Sequence, residues 1–169
     1  SRSKVAALEE GFSRDNWKQF AELGWLAVPF AEEDGGFGGG AIETMLLFEQ
    51  FGRGLVLEPY LPTVVLAGGF LKYAGSAEQK ERYLGPLVEG AKLGAFAGAE
   101  PQSRYNLADV TTTAKADGDG YVLSGRKSVV LGGPSADFLV VDARPPGDQR
   151  APSGISLFLV DTDAKGVSR

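Results

Sequence analysis

The stretch VTTTAKADGDGYVLSG, residues 110–125, places two runs rich in β-branched residues on either side of DGDG. Glycine adopts positive φ at little steric cost, so this spacing predicts a β-hairpin. Four more segments after residue 92 have the same character: LGAFAGA, GRKSVVLGG, DFLVVDA and ISLFLVD. Six short strand candidates predict a small antiparallel, barrel-like or sandwich-like β domain, interrupted by a Pro/Gly-rich loop over 144–154.

Before residue 92 the patterns predict helices. Ser13 is a candidate N-cap for a helix over 14–23, which Gly24 ends. The run AIETMLLFEQFGR, residues 41–53, is apolar around much of a helical circumference, and Ile42, Met45 and Leu46 share one side with Glu49. We therefore expect this helix to be deeply buried.

Two further helices complete this half. Pro62 suits the first turn of a helix over 61–75, in which Gly68 and Gly69 predict close helix packing. Ser76 and Gln79 form a capping-box pattern that opens the next helix. We expect an α+β fold with an N-terminal helical domain over 1–92, truncated at its start, and a middle β domain over 93–169, truncated at its end.

Composition excludes several kinds of chemistry within this chain. Among 169 residues there is no cysteine and no histidine, which removes thiol nucleophiles, histidine bases and their metal sites. A net charge of −5 without a basic cluster argues against a nucleic-acid partner. No apolar run approaches the ~20 residues that cross a bilayer. The lack of cysteine fits the cytoplasm, where we expect the protein.

Candidate sites in the helical half have ordinary structural explanations. The glycine-rich run PFAEEDGGFGGG, residues 29–40, lacks the lysine of a phosphate loop, so a tight connection is favoured. Glu32, Glu33 and Asp34 are consecutive, which favours a solvated loop over a metal site. Glu49 and Arg53 have the spacing of a helical ion pair, with a general base as the alternative for Glu49. In the β half, Lys127 is interpreted as a solvated strand lysine, with an anion-binding role as the alternative.

Two long stretches carry a family resemblance. They are ELGWLAVPFAEEDGGFGGGAIETMLLFEQFGR, residues 22–53, and GAFAGAEPQSRYNLADVTTTAKADGDGYVLSGRKSVVLGGPSADFLVVDAR, residues 94–144. Through them the sequence resembles the acyl-CoA dehydrogenases, flavoenzymes with an N-terminal helical domain, a middle β domain and a C-terminal helical bundle. AEPQSRYNL and KSVVL are most similar to the subfamily of pimeloyl-CoA dehydrogenase small subunits. The resemblance implies that the family's C-terminal bundle is absent from this chain.

The resemblance also implies a reaction and a site. The family removes hydrogen across the α,β bond of an acyl-CoA thioester and transfers hydride to FAD. Its catalytic base is a glutamate of the C-terminal bundle, beyond residue 169, so we expect no catalytic residue here and an inactive chain in isolation. The matching positions assign flavin contacts to Phe96, Gly98, Ala99, Val129 and Leu131, acyl-CoA contacts to Arg104 and Tyr105, and no metal ligand.

Several of these positions depart from the family pattern. Ala99 stands where the family has threonine, Arg104 and Tyr105 replace a Gly-Ser pair, and residues 129–131 are Val-Val-Leu instead of Trp-Ile-Thr. Each lost hydroxyl removes a hydrogen bond worth about 1 kcal/mol to a flavin edge. Arg104 is a candidate replacement that pairs with a flavin or CoA phosphate, and Tyr105 is a candidate for stacking on a ring.

Three functions remain open on the sequence. The chain is part of an acyl-CoA dehydrogenase that binds FAD, or part of a non-catalytic partner subunit that has lost its own flavin site, or a plain β-barrel binding module outside the family. The combined motifs favour the first two. In both, we expect a homo- or hetero-oligomer with an acyl-CoA dehydrogenase subunit, and no nucleic-acid or membrane partner.

Overall fold

A computed structural model describes residues 2–169 of the chain, which form two compact units, residues 2–94 and 95–169. The first unit is helical, and four of the five strands lie in the second. The predicted α+β fold is confirmed. No described helix is long and apolar enough to cross a membrane.

The helical unit begins with three separate helices: α1, Arg2–Ala6; α2, Arg14–Glu22; and α3, Ala41–Gly54. A π-helix, Leu61–Ala67, then runs into α4, Gly68–Ala74, and α5, Ala77–Gln79, runs through a second π-helix, Lys80–Leu84, into α6, Gly85–Val88. The predicted caps are confirmed. The Ser13 hydroxyl accepts from the Asn16 N–H at 3.3 Å, and Ser76 and Gln79 form both bonds of a capping box.

An aromatic cluster forms much of the core of the helical unit. Phe20 of α2 stacks on Phe51 of α3 with ring centroids 5.4 Å apart, and Trp25 lies against both rings. Tyr60 packs edge-on against Phe51, and its hydroxyl donates to the Trp25 carbonyl at 2.9 Å. Rings of this size remove a large apolar area from water, which fixes α2 against α3.

The predicted deep burial of α3 is wrong. Phe51 is buried, but Ile42, Met45 and Leu46 are 65%, 58% and 50% exposed. The aromatic cluster engages only the side of α3 that carries Phe48 and Phe51, and a helical periodicity does not reveal how many sides have a partner. The predicted ion pair between Glu49 and Arg53 is confirmed at 2.6 Å, on the exposed surface.

The β strands form two separate sheets. They are β1, Gly94–Ala97; β2, Thr113–Asp117; β3, Gly120–Ser124; β4, Phe138–Ala143; and β5, Ser156–Asp161. Strands β1, β4 and β5 form one sheet in that order, and β2 pairs with β3 in the predicted hairpin, whose turn places Gly118 at φ +57°. Within the described residues neither sheet closes, so the barrel-like architecture needs correction to two small open sheets.

The strand predicted over residues 125–133 is also wrong. This segment pairs with no strand in the described chain, and Val129 has a left-handed φ of +52°. Its β-branched residues suit a strand. Its backbone and its lysine instead bond to residues 99–100 and 142, as described for the site below.

Arg144 explains how the long loop after β4 is held. Its side chain is buried, and its guanidinium donates to the carbonyls of Ala108, Asp148 and Ala151 at 2.8, 2.6 and 3.0 Å. The planar arrangement of guanidinium donors suits several carbonyls at once. The Pro/Gly-rich segment therefore starts from a fixed turn.

Gly68 and Gly69 provide a matched pair for testing the core. A Cβ on Gly68 would lie 2.6 Å from Cζ of the buried Phe30, whereas a Cβ on Gly69 meets no atom within 4 Å. We expect Gly68→Ala to lower the free energy of unfolding by about 1–3 kcal/mol through overpacking. Gly69→Ala should raise it by up to about 1 kcal/mol through helix propensity.

Urea unfolding followed by tryptophan fluorescence measures both changes, because Trp17 and Trp25 lie in the helical unit. Equal effects of the two substitutions would contradict the packing that the structure assigns to Gly68.

Candidate functional site

Two segments that the sequence analysis assigned to a flavin lie side by side in the β unit. We call them the 96–99 segment and the 127–131 segment. The Ser128 N–H donates to the Ala99 carbonyl at 2.8 Å, which joins the two backbones although these residues are 29 positions apart along the chain. The structure therefore brings together Phe96, Gly98, Ala99, Val129 and Leu131 on two adjacent stretches.

Glu100 follows Ala99 directly, and its carboxylate binds Lys127, the residue before Ser128. This carboxylate is fully buried and accepts six hydrogen bonds, three on each oxygen. Thr111 and Thr112 each donate a backbone N–H and a hydroxyl, and Gln102 donates its amide at 2.8 Å. A carboxylate with so many donors has all its lone pairs satisfied, so burial leaves no acceptor orphaned.

Lys127 donates the sixth hydrogen bond to Glu100. Its interpretation as a solvated strand lysine is therefore wrong. Its side chain is only 9% exposed, and its ammonium lies 2.8 Å from Glu100 Oε1. The same ammonium also contacts the Asp142 carboxylate on β4. We call Glu100, Lys127, Asp142 and the other three residues that donate to Glu100 the carboxylate cluster. It ties the 127–131 segment to the turn after β1 and to β4.

The two carboxyl groups of the carboxylate cluster have opposite pKa shifts. Burial raises the pKa of Glu100, but the bonds from Lys127, Thr111, Thr112 and Gln102 outweigh burial and hold that pKa well below its usual range. Burial also raises the pKa of Asp142. There the bond from Lys127 only partly offsets it, and the negative charge of Glu100 raises it further. Glu100 is therefore the firmly ionised partner of Lys127.

The residues present fit a flat ring with polar edges. Val129 is 84% exposed and Leu131 52% exposed, and Ala99 beside them is also exposed. In the described part of the chain, the backbone N–H groups of Val129 and Leu131 make no hydrogen bond. Apolar side chains beside unused N–H donors suit a flat ring of this kind.

Gly98, the residue directly after β1, packs closely against a neighbouring ring. A Cβ at this position would lie 2.3 Å from Cζ of Phe96, so the phenyl ring of Phe96 covers the Gly98 backbone. Glycine here permits the close approach of ring and backbone. Phe96 therefore acts within the 96–99 segment by packing against the chain.

Arg104 and Tyr105 lie on the surface of the turn that follows Glu100. Arg104 has a left-handed φ of +48°, and Tyr105 is fully exposed at 100%. No hydrogen bond or ion pair in the described residues joins either side chain to the 127–131 segment. Both side chains are accessible to a ligand, and Arg104 is a cation without a protein acceptor among the residues described.

The remaining sequence candidates do not form a second site. Asp34, in a short 3₁₀ turn over Glu32–Asp34, pairs with Lys80 at 2.8 Å, which supports the structural interpretation of the acidic triplet. Residues 2–169 contain no group of three or more acidic residues placed to hold a metal. The sequence analysis did not single out Glu100 or Asp142. Glu100 stands within the quoted motif AEPQSRYNL, which is the signal that could have found it, whereas nothing local points to Asp142.

Glu100→Gln should destabilise the β unit and change its response to acid. The amide nitrogen of glutamine would face other hydrogen-bond donors, and the neutral side chain would leave the Lys127 ammonium with less negative charge beside it. We expect the free energy of unfolding to fall by about 3–5 kcal/mol at neutral pH. Because its folded pKa is lowered, Glu100 contributes stability that is complete above about pH 4.5, its ordinary pKa, and is lost as the pH falls. The free energy of unfolding of Glu100→Gln should therefore fall less steeply than that of the wild-type protein as the pH is lowered.

Urea unfolding followed by far-UV circular dichroism between pH 3 and 7 checks this at about one-unit intervals. Tryptophan emission is unsuited, since both tryptophans are in the helical unit. If the free energy of unfolding of the variant falls with pH as steeply as that of the wild-type protein, the role assigned to Glu100 is contradicted.

Comparison with known proteins connects both units to one family. The domain family described as "Acyl-CoA dehydrogenase, N-terminal domain" matches residues 2–91, and "Acyl-CoA dehydrogenase, middle domain" matches residues 95–169. The 3-(aryl)acrylate reductase of Clostridium sporogenes is 35% identical over 160 residues, which cover 93% of this chain and 42% of that protein. The chain therefore spans about two fifths of the length of this relative.

Solved structures agree in fold over nearly the whole chain. The ChsE4–ChsE5 complex from Mycobacterium tuberculosis matches with a TM-score of 0.85 and 30% identity, over 99% of this chain and 43% of that one. The FAD complex of PigA matches with a TM-score of 0.85 and 27% identity, over 98% of this chain and 44% of that one. On the two domain matches and these relatives, the chain belongs to the acyl-CoA dehydrogenase family, whose members are FAD enzymes.

Proposed function

We propose that this chain forms the N-terminal and middle part of a flavin-dependent acyl-CoA dehydrogenase. The observation that carries the proposal is the bond from Ser128 N–H to the Ala99 carbonyl, because it aligns the two segments to which the family resemblance assigns the flavin. Family membership of both units supports the same reaction class, the α,β-dehydrogenation of an acyl-CoA thioester.

The chain's own residues would hold and orient the cofactor. Val129 and Leu131 offer apolar surface to the ring, and their unused N–H groups offer donors to its polar edge. Ala99 contributes backbone and a small exposed side chain beside them. When bound, FAD supplies the acceptor for the hydride that leaves the β carbon of the acyl group. The base that removes the α proton has no candidate among the residues of this site.

Arg104 and Tyr105 would bind the charged part of a ligand. An exposed guanidinium without a protein acceptor in the described chain suits a flavin pyrophosphate or a CoA phosphate, since arginine pairs with phosphate oxygens in a two-pronged geometry. The exposed phenol ring of Tyr105 offers a surface on which a ring can stack.

The first test is the absorbance spectrum of the complete protein, purified alone and with any co-expressed relative. We expect flavin bands and about one FAD per chain, identified by chromatography after release. A colourless protein in both preparations would contradict FAD binding.

Arg104→Ala should weaken phosphate recognition without unfolding the protein. Loss of one charge-assisted contact, about 1.4 kcal/mol or more, lowers the affinity for FAD or for CoA about tenfold. Titration calorimetry of each ligand at low and high salt measures this. Lys115→Ala, which removes an exposed positive charge from β2, is the matched control and should leave both affinities near the wild-type value.

Equal affinities for Arg104→Ala and wild type, for both ligands, would remove Arg104 from the site. A loss confined to one ligand would identify whose phosphate it pairs with.

A second candidate is a partner subunit without its own working flavin site. The replacement of threonine, tryptophan and threonine by Ala99, Val129 and Leu131 favours it, because three side-chain contacts to the ring are lost. The similarity to a chain of the ChsE4–ChsE5 complex supports a hetero-oligomer. A protein that carries FAD only when co-purified with a relative would favour this candidate over the first.

A further inference from the structure

We propose that Lys127 is a positioning residue that sets flavin affinity by fixing the 127–131 segment against the 96–99 segment. The proposal rests on the proposed function above, because it assigns the flavin to these two segments. Lys127 itself contacts Glu100 and Asp142 and is nearly buried, so it acts through the backbone that it anchors.

The geometry around Lys127 supports this role. Its neighbour Ser128 donates to Ala99, and its ammonium binds Glu100, the residue after Ala99. Lys127 and Ser128 therefore bind Glu100 and Ala99, so two successive residues of the 127–131 segment contact the last residue of the 96–99 segment and the residue directly after it. A pair of contacts at adjacent positions fixes both the distance and the relative direction of two backbones, which a single hydrogen bond does not.

The conformation beyond Lys127 depends on this anchor. Val129 adopts a left-handed φ of +52°, which is costly for a β-branched residue and persists only where the surroundings impose it. The contact of Lys127 with Asp142 on β4 supplies a second fixed point. Released from both acids, Val129 would relax toward ordinary φ, and its N–H and that of Leu131 would change direction.

Lys127→Met in the complete protein tests the proposal, because methionine keeps an apolar stem of similar length but removes the ammonium. We expect the dissociation constant for FAD to rise about tenfold or more, as for residues that orient the ligands of a metal site. The matched control is Lys80→Met, which breaks an ion pair of the same 2.8 Å length in the helical unit. It should change FAD affinity less than about twofold, which is about 0.4 kcal/mol.

Amide hydrogen exchange of the protein without FAD gives a second readout. Lys127→Met should speed exchange at Ser128 while leaving the β2–β3 hairpin protected. Asp142→Asn, which keeps the shape of the side chain, is the milder variant if Lys127→Met folds poorly. It should weaken FAD binding in the same direction by a smaller factor.

Unchanged FAD affinity in both folded variants would overturn the proposal, even if their melting temperatures fall, because that result assigns Lys127 to stability alone. If the wild-type protein itself binds no FAD, the proposed function fails. Amide exchange at Ser128 then decides whether Lys127 positions the 127–131 segment. Faster exchange in Lys127→Met would then still support the positioning of the segments, and unchanged exchange would overturn it.

Discussion

The β unit depends on a single buried carboxylate. Glu100 draws six donors from the chain around it, and these come from residues 102, 111–112 and 127. An ionised group out of water is tolerated only when its charge and every lone pair are matched. That requirement brings three irregular stretches of chain together around the Glu100 carboxylate. Few backbone hydrogen bonds between strands would otherwise hold these stretches in place.

Much of the fold was predictable because its signals are local. The cap at Ser13, the Ser76–Gln79 box and the DGDG turn depend on neighbours within a few residues, and all are present. The burial of α3 was not predictable, since an apolar stripe does not say what covers it. The β-branched residues of 125–133 favour a strand, but the partners of this segment are the Ala99 carbonyl and the carboxylates of Glu100 and Asp142.

The site divides in the same way. The motif located the two segments by resemblance, and the Ser128–Ala99 bond joins them. The left-handed conformations of Arg104 and Val129 were hidden, because φ at a non-glycine residue is imposed by tertiary contacts. The burial of Lys127 was hidden too. Its acidic partners lie 27 and 15 residues away, and no periodicity connects such positions.

The sharing of Glu100 among so many donors also constrains how this sequence can change over generations. Replacing Lys127 alone leaves a buried negative charge with less compensation, and replacing Glu100 alone leaves a buried ammonium with only Asp142. Replacement of this cluster by apolar residues therefore either passes through a destabilised protein in which one partner is changed, or requires several substitutions at once. Related chains should consequently keep the whole set or lose it as a block, and the positions should covary.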